Sequence, residues 1–308
     1  MEQNRWPNLQ DLLDILGLDE KPMAVYYTDN RPESDITPAQ SDLPTREKEI
    51  QGQIDWEAIF KGFSCVIGHL WKARRKRATA WFSAEHYGCP GAAFFLGFNK
   101  PQNEFVIHYV ATGIPGHMNG ECYLNSPNTF RNILEYMNPD PAPKKYLAIT
   151  PIDLMAPEEE PSLILFFCRP ESMAGLHQLA TFVTGDAETV KSPWGSACSS
   201  IIAWPFFYLN RGIEAAVLGG WDPTARQFYK TDELSLALTP ALFEKMLLSW
   251  QASFLKQPAW KISQKKIEKS KEIWKEKTVK NKGIPVHSET GRTNLARKTI
   301  PALWRLTR

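Results

Sequence analysis

The sequence predicts an α/β or α+β protein with a mixed sheet, or sheets, flanked by helices and followed by a charged C-terminal helix. Segments that favour strands alternate with segments that favour helices through residues 1–255. Helices are missing between several of the predicted strands, so a strictly parallel, doubly wound sheet is disfavoured. The chain has 308 residues, 43% of them apolar, which is enough to bury a substantial core. We therefore expect one compact unit over residues 1–255.

The individual elements follow from the spacing of apolar residues and from Pro and Gly boundaries. Short apolar runs predict strands at 22–27, 78–83, 106–110, 146–149, 163–168, 215–218 and 234–238. Amphipathic spacing predicts helices at 8–16, 56–75, 171–183, 241–254 and 261–277. The stretch 29–53 is rich in Pro, Ser, Asp and Thr and predicts a long surface loop.

Two segments of the chain resemble each other. Ser126-Pro127 and Thr239-Pro240 each begin a predicted helix with a capping residue and a proline. Cys89 and Cys198 are 109 residues apart, and the predicted strands at 106 and 215 keep the same offset. We hypothesise two related halves, at about 55–145 and 165–255, although such helix starts are also common in unrelated segments.

The charge of the chain is unevenly distributed. Residues 261–308 contain fourteen Lys and Arg and four Asp and Glu, whereas the remainder contains 22 basic and 30 acidic residues. We predict an acidic globule, a charged helix at 256–280 and a flexible basic tail at 281–308. The globule is not expected to bind nucleic acid, which leaves the tail as the part that could contact a polyanion or a second subunit.

Composition also limits location. No run of 18 apolar residues is present, so no membrane span is expected. The odd number of widely spaced cysteines favours a reducing compartment over a disulfide framework. These observations predict a cytoplasmic protein.

Several segments together resemble a known family. They are Glu-His-Tyr-Gly-Cys-Pro-Gly-Ala at 85–92, Leu-Gly-Phe at 96–98, Gly-Leu-His-Gln-Leu-Ala at 175–180, Cys198, and Gly-Gly-Trp-Asp-Pro at 219–223. Over residues 8–255 the chain resembles the prokaryotic domain of unknown function family 169, which occurs mainly in anaerobic archaea and bacteria. The resemblance implies a cytoplasmic prokaryotic protein and supplies no mechanism.

The chemistry is therefore inferred from the residues. The dinucleotide, P-loop, hydrolase and zinc-protease signatures are absent from the sequence. Cys89 and Cys198 each precede a predicted helix start, where unpaired N–H groups would favour a thiolate. Cys65 and His69 lie one helical turn apart.

We interpret Cys65, Cys89, Cys198 and His69 as candidate metal ligands. An iron–sulfur cluster is the first choice because thiolates suit iron, and zinc is the second. Cys122, His69 or an external group would complete the ligand set. The alternative is that these thiols are buried packing residues, because no Cys-x-x-Cys motif is present; Cys168 is expected in the core.

Other residues are predicted to surround this site. Glu85, His86 and His117 are candidate acid–base residues, and Arg74, Gly91 and His177 are candidate cofactor-binding residues; a structural role remains an alternative for each of these side chains.

The leading hypothesis is a redox-linked protein with a cysteine-ligated cluster that meets a small-molecule ligand or a redox partner protein. The alternative is a non-catalytic module that binds a small anion or a protein, and homo-oligomerisation is left open.

Overall fold

A mixed sheet of seven strands forms the centre of the fold. The computed structural model describes residues 5–36, 65–98 and 104–282, and the chain separates into two units, Met1–Gln257 and Pro258–Arg308. The sheet strands are β1 Met23–Thr28, β2 Ala80–Ser83, β5 Tyr146–Pro151, β6 Leu163–Cys168, β7 Val190–Lys191, β8 Ala216–Gly219 and β9 Leu234–Leu238; β3 Gly113–Ile114 and β4 Met118–Asn119 form a separate hairpin.

Nine α-helices accompany these strands in the described part of the chain. They are α1 Leu9–Leu16, α2 Val66–Lys76, α3 Pro90–Phe95, α4 Phe105–Val110, α5 Pro127–Met137, α6 Pro170–Thr184, α7 Ala203–Leu209, α8 Pro240–Ser249 and α9 Pro258–Lys282. None of them is long and apolar enough to cross a bilayer.

The strand order is β2-β5-β1-β6-β9-β8-β7. Only β7 and β8 pair in parallel, and the other five pairs are antiparallel. In the centre, Val25 of β1 lies opposite Ile149 of β5 on one side and Leu163 of β6 on the other. The predicted mixed α/β class is therefore confirmed.

Both faces of the sheet are covered, which explains the uninterrupted apolar run of β6. Leu163 and Leu165 pack in the same buried cluster as Ile67 of α2. Phe166 packs instead against Phe243 of α8, with ring centroids 6.0 Å apart. A strand buried on both faces needs apolar residues at every position rather than at alternate ones.

Local signals account for the ends of several helices. The Ser126 hydroxyl accepts the backbone N–H of Thr129 at the start of α5, and Pro127 occupies the first turn, where its missing N–H costs nothing. Gly17 ends α1 and Gly185 ends α6, both with a positive φ that favours glycine.

Two sequence predictions need correction. The segment 106–110 was predicted as a strand but belongs to α4, because the five residues Val-Ile-His-Tyr-Val are too few to distinguish the two periods. One of the three correspondences behind the two-halves hypothesis is thereby lost, and the hypothesis stays a prediction. The helix predicted at 241–254 ends at Ser249 and continues as two short 3₁₀ turns.

Parts of other predictions lie outside the described residues. They are 37–53 of the surface loop, 56–64 of the helix predicted at 56–75, and 283–308 of the basic tail.

Candidate three-cysteine site

Three cysteines from separate segments line one cavity of about 320 Å³. Cys65 precedes α2, Cys89 precedes α3, and Cys198 lies in the 3₁₀ turn Ala197–Ser199. We call this cavity the three-cysteine pocket. These are the three cysteines that the sequence suggested as ligands, and the fold brings them together from positions far apart in the chain.

Backbone N–H groups point at two of the sulfur atoms. Ala92 donates to Cys89 Sγ at 3.4 Å, and Gly91 also contributes a backbone N–H. Cys65 accepts N–H groups of the first turn of α2 in the same way. Both thiols therefore occupy the N-cap position of a helix, as the sequence predicted for Cys89. Cys65 was expected inside the helix 56–75, but α2 begins only at Val66.

The pKa values of the thiols are raised, whereas the sequence predicted that the thiolate form would be favoured. Burial, together with the neighbouring Cys65 sulfur, raises the pKa of Cys89 to about 12 despite the N–H groups. Burial and the two neighbouring sulfurs raise the pKa of Cys198 well above its ordinary value, and burial also raises the pKa of Cys65. Desolvation outweighs the helix N-terminus here, so without a cation the thiols stay protonated at neutral pH. A bound cation would reverse this balance.

One wall of the pocket carries two carboxylates, Glu121 and Asp222. The β3–β4 hairpin turns the chain back, so that the Glu121 N–H donates to the carbonyl of Tyr109 in α4 at 2.6 Å. The hairpin requires Gly113, whose φ is +74° and where an added Cβ would lie 2.2 Å from a carbonyl oxygen. Glu121 is half-buried and accepts a hydrogen bond from the Tyr109 side chain.

Sequence reasoning missed both carboxylates. Asp222 lies within the Gly-Gly-Trp-Asp-Pro segment used for the family resemblance, and that segment was the only available signal for it. Glu121 had no local signal, because its approach to the pocket depends on the hairpin.

The pH dependence of stability should report on Glu121. Burial, with the neighbouring Asp222, raises the pKa of Glu121 from 4.5 to about 7. Between these values the folded state binds more protons than the unfolded state, so this contribution is full below about pH 4.5 and is lost as the pH rises through 7. Allowing for partial exposure, the effect is on the order of 1 kcal/mol.

We expect the Glu121→Gln variant to lack this loss. Urea unfolding gives the free energy of unfolding of each metal-free protein at about pH 5 and about pH 7.5. The change in this free energy between the two pH values is then compared between wild type and variant. An identical change in both proteins would exclude a raised Glu121 pKa.

The remaining predicted site residues lie in different places. Gly91 lines the three-cysteine pocket. Glu85 and His86 line another cleft, of about 670 Å³, where His86 Nδ1 is 3.2 Å from the Ser83 hydroxyl. His117 is exposed in the β3–β4 turn, and His177 is half-buried on α6 with an Nδ1 that has no hydrogen-bond partner. The fold therefore brings Gly91 to the three thiols but not Glu85, His86, His117 or His177.

The candidate fourth ligands also lie away from the pocket lining. His69 is buried on α2, where its ring meets Phe82 edge-on, and burial lowers its pKa to about 4. Cys122 is exposed. Cys168 is buried at the end of β6, as predicted.

Arg74 belongs to a buried ion cluster. Its guanidinium donates to Glu233 at 2.7 and 2.9 Å and to Glu20 at 2.8 and 3.1 Å, and it lies 4.0 Å from the ring centroid of Phe167. These contacts give Arg74 a structural role. Arg74 is not among the residues that line the three-cysteine pocket.

Within residues 5–36, 65–98 and 104–282, no three His, Cys, Asp or Glu side chains form a group that could hold a metal ion. The three thiols line one cavity without forming such a group.

Comparison with known proteins gives a family match. The family model of DUF169, described as an uncharacterised ArCR family, matches residues 11–248. No curated protein and no solved structure is significantly similar to the chain. Because the match spans most of the chain and includes Cys65, Cys89 and Cys198, the protein belongs to domain of unknown function family 169.

Proposed function

We propose that the three-cysteine pocket binds an iron–sulfur cluster through Cys65, Cys89 and Cys198 and that the protein is redox-linked. The observation that carries this proposal is the meeting of three cysteines, from positions 65, 89 and 198, in one cavity. Thiolates are the usual ligands of such clusters, and a cluster held in a partly apolar cavity is shielded from water.

The surroundings of the sulfur atoms support this choice. N–H groups from the first turns of α2 and α3 point at Cys65 and Cys89, and N–H bonds to ligand sulfurs tune the potential of a cluster. Binding would release the thiol protons, because the ligand is the thiolate.

Because the three thiols do not form a close ligand group, a cluster is favoured over a single zinc ion. A single zinc ion needs its sulfur ligands within about 2.3 Å of one point, and no three described side chains form such a group. A cluster presents its irons at separate corners, so its cysteine ligands need not converge on one point.

A ligand position would remain open. Among the described residues that line the pocket there is no fourth cysteine and no histidine. The wall beyond the thiols carries Glu121, Asp222 and Tyr109, which supply acceptors and a hydroxyl to a small molecule. The electron would come from a separate redox partner protein.

The alternative, a small-anion binding module, is not favoured by this pocket. Its described lining contains two carboxylates and no Lys, Arg or His. No cationic side chain of this lining would balance the charge of a bound anion.

The iron, acid-labile sulfide and zinc content of protein purified without air tests the proposal. We expect up to about four irons per chain, matching sulfide and a broad absorption band that bleaches on reduction. Protein that contains no iron after anaerobic purification, and that takes up none from ferrous iron and sulfide, would overturn the proposal. Stoichiometric zinc alone would replace it with a zinc site.

A further inference from the structure

The turn that carries Cys198 contains a residue in a disfavoured conformation. Ala197 has a φ of +42°, in the left-handed region that residues with a Cβ rarely adopt. Cys198 follows directly, is 3% exposed, and lines the three-cysteine pocket. Something must hold Ala197 in this conformation, because an unrestrained alanine would leave it.

Asp222 supplies that restraint. The Ala197 N–H donates to Asp222 Oδ2 at 2.5 Å. The other carboxylate oxygen accepts the Thr224 N–H at 2.8 Å, the Thr224 hydroxyl at 2.7 Å and the Tyr123 hydroxyl at 3.3 Å. Asp222 is 8% exposed, so its charge-assisted bonds are shielded from water.

We propose that Asp222 is a positioning residue whose bond to the Ala197 N–H holds the strained turn and thereby directs Cys198 into the pocket. The inference rests on the proposed role of Cys198 as a ligand. Asp222 itself needs no contact with the cluster. Asp222 also accepts a hydrogen bond from Tyr123, two residues after Glu121. It thereby links the Cys198 turn to the segment that carries Glu121.

The Asp222→Asn variant tests the bond. An asparagine has one acceptor oxygen, so its NH₂ group must face either the Ala197 N–H or the Thr224 N–H, donor against donor. We expect N-ethylmaleimide to label Cys198 about tenfold faster in this variant than in wild type, in full-length metal-free protein. Peptide mass spectrometry reports each cysteine separately, and Cys168 serves as the folding control within each sample.

A second substitution distinguishes positioning from general loosening. Glycine reaches the positive φ of Ala197 with much less strain, so the double variant Asp222→Asn, Ala197→Gly should label Cys198 more slowly than Asp222→Asn alone. Tyr123→Phe is the matched control, because it removes the longest bond to the same carboxylate and leaves the Ala197 bond in place. It should leave the labelling of Cys198 as slow as in wild type.

Two results would overturn the inference: Cys198 labelling unchanged by Asp222→Asn, or no restoration by Ala197→Gly. If Asp222→Asn also speeds the labelling of Cys168, the whole fold is loosened, and hydrogen exchange in the wild-type protein provides the test. Its Ala197 amide should exchange hydrogen at least about a hundredfold slower than in an unstructured chain, and an unprotected amide would overturn the inference. Wild type without iron but with the expected labelling pattern would reject the cluster and retain the positioning role.

Discussion

Replacing Cys198 by serine should abolish iron binding. A serine hydroxyl is a poor ligand for iron at neutral pH, and Cys198 is the most deeply buried of the three thiols, so solvent cannot supply a substitute easily. We expect iron and sulfide per chain to fall about tenfold or more in Cys198→Ser, and likewise in Cys89→Ser and Cys65→Ser. Metal analysis of anaerobically purified variants measures this.

Two cysteines outside the pocket provide matched controls. Cys168→Ser changes a buried thiol on β6, and Cys122→Ser changes an exposed one. Both should keep the wild-type iron content, because neither lines the cavity. If Cys122→Ser lost the iron as completely as Cys198→Ser, or if the pocket variants kept it, the assignment of ligands would be wrong.

The Arg74 cluster should be the most sensitive electrostatic feature of the fold. The Glu233 side chain is only 3% exposed and pairs with Arg74 at 2.7 Å. In Arg74→Met, this carboxylate would remain buried without its cation. Removing one partner of a buried ion pair costs roughly 3–5 kcal/mol, and we expect a loss of unfolding free energy of that size. Urea unfolding at neutral pH measures it.

An exposed pair provides the comparison. Arg77 bonds Asp153 at 2.7 Å, but its side chain is 55% exposed, so Arg77→Met should cost less than about 1 kcal/mol. The double variant Arg74→Met, Glu233→Gln removes the unpaired charge and should recover a large part of the loss. Equal effects of Arg74→Met and Arg77→Met would show that burial of the pair does not matter.

The sequence predicted the fold well where a pattern was local and long. The run Leu163–Cys168, bounded by prolines at 161 and 170, matches β6 at both ends, and the capping pattern at Ser126 matches the start of α5. The prediction of a strand at 106–110 was wrong because a segment of five residues with four apolar side chains does not distinguish a strand from a helix.

The site was predictable in its thiols but not in its electrostatics. Cys89 and Cys198 were singled out because small residues and a helix start follow them, yet no pattern could show that desolvation dominates once three sulfurs share a cavity. Glu85 and His86 seemed close to Cys89 along the chain. A turn in which Ser83 and His86 exchange backbone hydrogen bonds directs them to a separate cleft instead.

The position of β1 in the sheet has a consequence for the synthesis of the protein on the ribosome. Met23 pairs with Pro151 on one side and with Leu165 on the other, so the central strand is made long before either neighbour. At roughly 5–20 residues per second, the apolar segment Met23–Thr28 waits on the order of 10 s for its first partner. Cys65 and Cys89 emerge during that interval, before the sheet can form and before Cys198 exists. The proposed cluster can therefore gain its three ligands only after Cys198 has been made, and Met23–Thr28 has no strand partner until Tyr146–Pro151 has followed.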